Sequence, residues 1–109
     1  MTIDIQKRGS ISIVRLTGQF RGEGDLIKAL GPVIDTRGAR VIIDMNGVDY
    51  VSSAGLGELV RITAQANSQG ARVVQAAIQP FVMGVYGMTQ LHKFFESYPT
   101  VEAAEAALA

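Results

Sequence analysis

The 109-residue sequence contains no cysteine. That excludes a disulfide scaffold, a thiol nucleophile and any zinc site built on thiolates. Histidine occurs once, as His92. A hydrolytic triad needs a base beside its nucleophile, and nothing else in the sequence supports His92 in that part, so it reads as a structural residue at or near the surface. Excess charge of either sign is also missing: ten Lys and Arg balance ten Asp and Glu, and Lys7-Arg8 is the one adjacent basic pair. A nucleic-acid binder normally carries a basic excess or stripe. No basic, then apolar leader opens the chain, which begins Met1-Thr2-Ile3-Asp4, so no secretory signal is read. The 20 residues Val73 to His92 hold no formal charge, but Gln75, Gln79, Pro80, Gly84, Gly87 and Gln90 interrupt them. Membrane insertion is therefore not expected, and a cytoplasmic location is. No His, Asp or Glu cluster has metal-ligand spacing. Gly22-Glu23-Gly24 lacks the lysine and hydroxyl of a phosphate-binding loop, and Gly55-Leu56-Gly57 lacks the third glycine of a dinucleotide fingerprint. Neither an enzyme nor a cofactor is expected.

What is present suffices for one domain over residues 1–109. Hydrophobic residues make up 48%, and a domain this long buries roughly two thirds of the surface its unfolded chain exposes. Thr2 to Lys7 alternates, Arg8-Gly9 signals a turn, and Ile11, Ile13, Val14 and Leu16 form a second strand, so the chain opens with an antiparallel hairpin. Asp25 is placed to cap a helix bearing Leu26, Leu30 and Val33, which Pro32 should break or kink. Val41-Ile42-Ile43 is a short strand of the kind buried on both faces. From Gly55 the period becomes helical, with Leu59, Val60, Ile62 and Ala66 on one arc and Glu58, Arg61, Gln65 and Ser68 on the other. Val73-Val74 marks another buried strand. Pro80 opens a helix whose face is read as Phe81, Val82, Val85 and Met88. Phe94-Phe95 reads as a short strand or buried turn, and Thr100 caps a last helix. The order is α/β: a mixed, mostly parallel sheet opened by an antiparallel hairpin, with about four helices.

The segment Val48-Asp49-Tyr50-Val51-Ser52-Ser53-Ala54-Gly55-Leu56-Gly57 stands out. Two hydroxyls sit where a loop enters an amphipathic helix. One reading is an N-cap, worth about 1 kcal/mol. The other is a modification site, because a phosphate at a helix N-terminus meets free N–H donors and the positive end of the dipole. Asp44, at the end of the central strand, is expected to order the following loop through side-chain to backbone bonds. Tyr50 is read as core, alternating with Val48 and Val51. The apolar stretch Phe81-Val82-Met83 with Val85-Tyr86 exceeds what one helix face needs, which implies core plus a local exposed patch.

With its hairpin, the Gly18 that ends strand two, the Val41 to Asp44 strand, the Ser-Ser-x-Gly-Leu loop, the Pro80 region and the short terminal helix, the chain resembles the STAS domain of anti-sigma factor antagonists. The resemblance covers essentially the whole length. It implies a protein-interaction switch. An ATP-dependent serine kinase, itself the anti-sigma factor, phosphorylates the loop serine and releases the modified form. A PP2C-type phosphatase restores the form that binds the kinase and frees the sigma factor. The motif places the phosphoacceptor at Ser53, with Ser52 as second choice. The implied partner face is Ser52, Ser53, Ala54, Gly55, Glu58 and Arg61. Two positions depart from the family pattern: Ser52 stands where an aspartate is usual, and Arg21 where an acid commonly follows strand two. The alternative is an unphosphorylated scaffold subunit of a lipid-transport or signalling complex. A weak dimer is left open, and a hydrolase using the loop serine is a distant third.

Overall fold

Alternating β-branched residues and periodic leucines lay down ten short elements over residues 1–109 of the computed structural model. They are β1 (Thr2–Arg8), β2 (Ile11–Phe20), α1 (Asp25–Ile34), β3 (Arg40–Val51), α2 (Ser53–Ser68), β4 (Arg72–Ala76), α3 (Pro80–Met88), a 3₁₀ turn (Leu91–Lys93), β5 (Ser97–Tyr98) and α4 (Val101–Leu108). The strands form one sheet in the order β1-β2-β3-β4-β5. The β1–β2 pair is antiparallel and every other pair is parallel. This is the mixed sheet with an opening hairpin and four helices that the sequence implied.

The two faces of the sheet are covered unequally. On one side Val14, Leu16, Phe20, Val41, Ile43, Met45, Val48 and Val51 pack against Leu26, Leu30 and Ile34 of α1, Leu59, Ile62 and Ala66 of α2, and Val82 and Tyr86 of α3. On the other, Ile11, Ile13, Ile42, Val74 and Ala76 are covered by Ala104 and Leu108 of α4. Tyr86 lies fully inside, donating its hydroxyl to Gln75 Oε1 at 2.6 Å with its ring centroid 4.9 Å from that of Phe95. Burial pushes its phenol pKa up.

Several expectations are corrected. The central strand does not stop at Asp44 but runs for 12 residues to Val51. It does so by two bulges, where Asn46 and then Asp49 are extra residues against β2. The carboxylate of Asp44 accepts from Asn46 N at 3.0 Å and holds the first bulge in place. Pro32 does not end α1. It sits in the last turn, where one backbone bond is forgone, and the helix continues because Ile34 is buried in the core. Asp25 is the first helical residue, and Gly24 occupies the cap position in a left-handed conformation. On α3 the buried face is Val82 and Tyr86, four apart, while Phe81, Met83 and Met88 are exposed. Of the two readings of Phe94-Phe95 the buried turn holds, with Phe95 buried after the 3₁₀ turn, and the strand lies beyond it at Ser97–Tyr98. Tyr50 is 40% exposed rather than core, because the bulge at Asp49 turns it outward.

Candidate functional site

The sheet delivers the Ser-Ser segment directly into α2. Val51 ends β3 in the core, and the next backbone N–H, that of Ser52, donates to Phe20 O at 3.0 Å. Ser52 is extended and caps the helix: its Oγ accepts from Gly55 N at 3.1 Å, and its carbonyl accepts from Leu56 N at 2.9 Å. Ser53 follows as the first helical residue. It is exposed, as is Ala54, and its hydroxyl makes no hydrogen bond within the chain. The two serines therefore have separate roles. One is spent on orphan helix donors, and the other is presented to solvent at the positive end of a 16-residue helix.

Close packing fixes this entrance. A Cβ on Gly55 would lie 2.6 Å from both the ring and the carbonyl oxygen of Phe20, so only glycine lets the first turn of α2 settle on the end of β2. Gly22, at φ +75°, approaches from the β2–α1 loop so closely that a Cβ there would sit 2.3 Å from the carbonyl carbon of Ala54. Gly55 is thus buried and shapes the loop.

Glu58 is also corrected. Its place on the polar arc predicts a solvated side chain, but it is 1% exposed. Its two carboxylate oxygens accept from Gly24 N and Ile27 N, each at 3.0 Å. Those are orphan donors of the first turn of α1, so a residue of α2 caps its neighbouring helix. A buried carboxylate is tolerable because both oxygens are paired and the α1 N-terminus is electropositive. Arg61 is exposed one turn further along, its guanidinium over Gly57. The site therefore brings together Ser52, Ser53, Ala54 and Arg61 at the surface, over Gly55 and Glu58.

Asp44 belongs elsewhere. Its carboxylate pairs with Arg15 Nε at 3.2 Å, in a cleft of about 360 Å³ beside Thr100 and Glu102 on the α4 side of the sheet. That is the face opposite the one on which α2 packs. His92 is exposed, with Nδ1 3.4 Å from Tyr86 O. Residue-by-residue reading did not show that Gly22 of the β2–α1 loop lies against Ala54 and Gly55, next to Ser53. The signal available for this contact was the pair Gly22 and Gly24, both of which adopt positive φ. No helix is long and apolar enough to cross a membrane.

Comparison with known proteins gives a consistent picture. The STAS domain family matches residues 2–104. A protein of Bordetella bronchiseptica named as an anti-sigma factor antagonist, BtrV, is 29% identical over 80 residues, which span 73% of this chain and 66% of the relative's own length. The crystal structure of an anti-sigma factor antagonist from Mycobacterium paratuberculosis superposes with a TM-score of 0.81 at 24% identity, covering 98% of this chain and 92% of that one. The Bacillus cell fate determinant SpoIIAA, in its phosphorylated form, superposes with a TM-score of 0.70 at 16% identity, covering 97% and 99%. At these identities the superpositions attest the fold.

Proposed function

The chain belongs to the STAS domain family, and from that premise we propose that it is an anti-sigma factor antagonist controlled by phosphorylation of Ser53. The unmodified form binds an anti-sigma factor that is also an ATP-dependent serine kinase. Transfer of the γ-phosphoryl group from ATP to Ser53 Oγ then ends the complex, and a PP2C-type phosphatase reverses the modification. The reading places these events in the cytoplasm. The chain itself acts by binding.

One observation carries this reading: Ser52 caps α2, while the adjacent Ser53 is exposed with its hydroxyl uncommitted. A kinase needs a reachable hydroxyl whose modification does not unfold its substrate. Ser53 meets both conditions because the cap belongs to its neighbour. The departure at position 52 has the same logic, since serine caps as well as the usual aspartate does. A phosphate would add about −1.5 to −2 charges and three acceptor oxygens at the helix N-terminus, where N–H donors and the dipole favour it. A partner fitted to the uncharged surface would meet repulsion and a desolvation cost. The names of the Bordetella and Mycobacterium relatives support the antagonist reading. The phosphorylated form of SpoIIAA shows that a protein of this fold accepts phosphate. The partner face we infer is Ser53, Ala54 and Arg61, beside the loop whose Gly22 lies against Ala54.

The test is intact mass after incubation with the host's cytosol and ATP. Wild type should gain one phosphate, Ser53→Ala none, and Ser52→Ala should still be modified. Ser53→Asp should weaken capture of the kinase. If wild type gains no phosphate in an extract that modifies a control substrate, the unphosphorylated-scaffold reading replaces this one.

A further inference from the structure

β1 is the outermost strand, and its outer edge is unpaired. The opposite edge of the sheet is β5, only two residues long. β1 has seven residues, and every one except Ile3 is exposed. Natural proteins blunt such an edge with charged side chains, a proline, a bulge, a covering element or a very short strand, and β1 carries only the first, as Asp4, Lys7 and Arg8. No proline, bulge or covering element protects it, and the register with β2 is unbroken from Thr2↔Thr17 to Arg8↔Ile11. A row of backbone donors and acceptors therefore remains open to another strand.

The charges on β1 have a direction. Asp4 lies toward its start, and Lys7 and Arg8 form its end. A second copy laid alongside in parallel would set like charge on like. An antiparallel copy brings acid to base. A two-fold axis perpendicular to the sheet keeps even residues facing even ones and odd facing odd. Centred on Ile5, it pairs all seven residues. Ile5, 41% exposed in the single chain, then lies against Ile5 of the second copy. Asp4 lies opposite Gln6 and diagonal to Arg8, within reach of long side chains. Ile3 lies opposite the aliphatic stem of Lys7. Asp4 has no ion pair in the single chain, and Arg8 uses only Nη1, at 2.6 Å from Glu105 Oε1, leaving its other donors free.

We propose that the protein self-associates through β1 as a two-fold antiparallel pair, giving a continuous ten-stranded sheet across two copies. The interface uses no residue of the Ser53 surface. One strand pair buries less than the roughly 1,200 Å² of a stable interface, so the dimer is weak and depends on concentration.

Sedimentation equilibrium of the full chain from about 10 μM to 1 mM tests this. The apparent mass should rise from 11.6 kDa toward twice that value, and the amides of β1 should exchange more slowly at the higher concentration. Asp4→Arg sets arginine against Arg8, and Ile5→Lys buries a charge at the centre. Each should weaken the dimer by about tenfold or more, a loss of at least 1.4 kcal/mol. Both positions are exposed, and matching circular dichroism melts check that the fold is kept. Arg8→Asp should weaken it likewise, and an equimolar mixture of Asp4→Arg with Arg8→Asp should recover dimer that neither forms alone. A monomer throughout, a dimer that Asp4→Arg and Ile5→Lys leave unchanged, or a mixture that recovers nothing overturns the proposal.

Discussion

Ser52 and Ser53 are adjacent and chemically alike, yet a 3.1 Å bond from Gly55 N to Ser52 Oγ separates their roles. The sequence showed two hydroxyls at a helix entrance, and that is where the structure places them. Assigning the cap to Ser52 needed the backbone geometry. Glu58 was less legible. Helical periodicity places it on the polar arc of α2, but periodicity describes one helix and cannot say that the first turn of another will lie against it. The donors of Gly24 and Ile27 supply what the pattern omits. Glu58→Ala leaves both part-buried donors without their partner, and should lower stability by about 2 kcal/mol in urea unfolding. Glu58→Gln retains one acceptor and should lose less. Ser53→Ala should leave stability nearly unchanged, because that hydroxyl caps nothing.

Strands and helices were found where their periods are regular, and were misread where the period changes. In β3 the residues facing the main core are Val41, Ile43, Met45, Val48 and Val51. Their spacing runs two, two, three, three. The apolar run Val41-Ile42-Ile43 ends the strand at Asp44, and strict alternation fails beyond Met45, whereas a shift from two to three is the mark of a bulge. β5 was read a few residues early, at Phe94-Phe95 instead of Ser97–Tyr98, because two residues carry no period at all. It is held instead by backbone bonds, Gln75 N to Glu96 O at 2.9 Å and Ala77 N to Tyr98 O at 3.1 Å, and by Arg72 of β4 gripping the Glu96 carboxylate. The hydrogen bond to Arg72 holds the Glu96 pKa below the usual carboxylate value, and Glu96 holds those of Arg72 and Tyr98 up. A carboxylate whose pKa falls on folding stabilises fully above its unfolded pKa, and the contribution fades as pH drops through the folded one. The amides of β5 should therefore lose hydrogen-exchange protection in acid below the ordinary Glu range. Glu96→Gln should remove that dependence. The pair is largely solvated, so the effect is local to the edge.

Across the whole molecule the sheet is covered by three helices on one face and one on the other. The sequence conveyed the layered α/β architecture, since strands alternating with helices admit few other arrangements. It could not convey the imbalance, because no apolar count says which side a strand residue faces. α4 is docked by Ala104 and Leu108 alone among its fully buried residues. Leu108→Ala should lower stability by about 2–3 kcal/mol, the cost of emptying a buried leucine site. It should also raise binding of an apolar dye as Ile11, Ile13 and Ile42 become accessible. The two extra residues of β3 bear on this molecule in another way. Asn46 and Asp49 can each be removed without turning a single apolar side chain outward, because the residues on either side already face as an unbulged strand requires. What such a deletion alters is the twist of the strand end that feeds α2. The chain lacking Asp49 should thus fold and melt cooperatively while presenting Ser53 at a different angle, and a partner that grips Ser53 should bind it poorly. A bulge of this kind thus sets the aim of a surface residue separately from the stability of the fold beneath it.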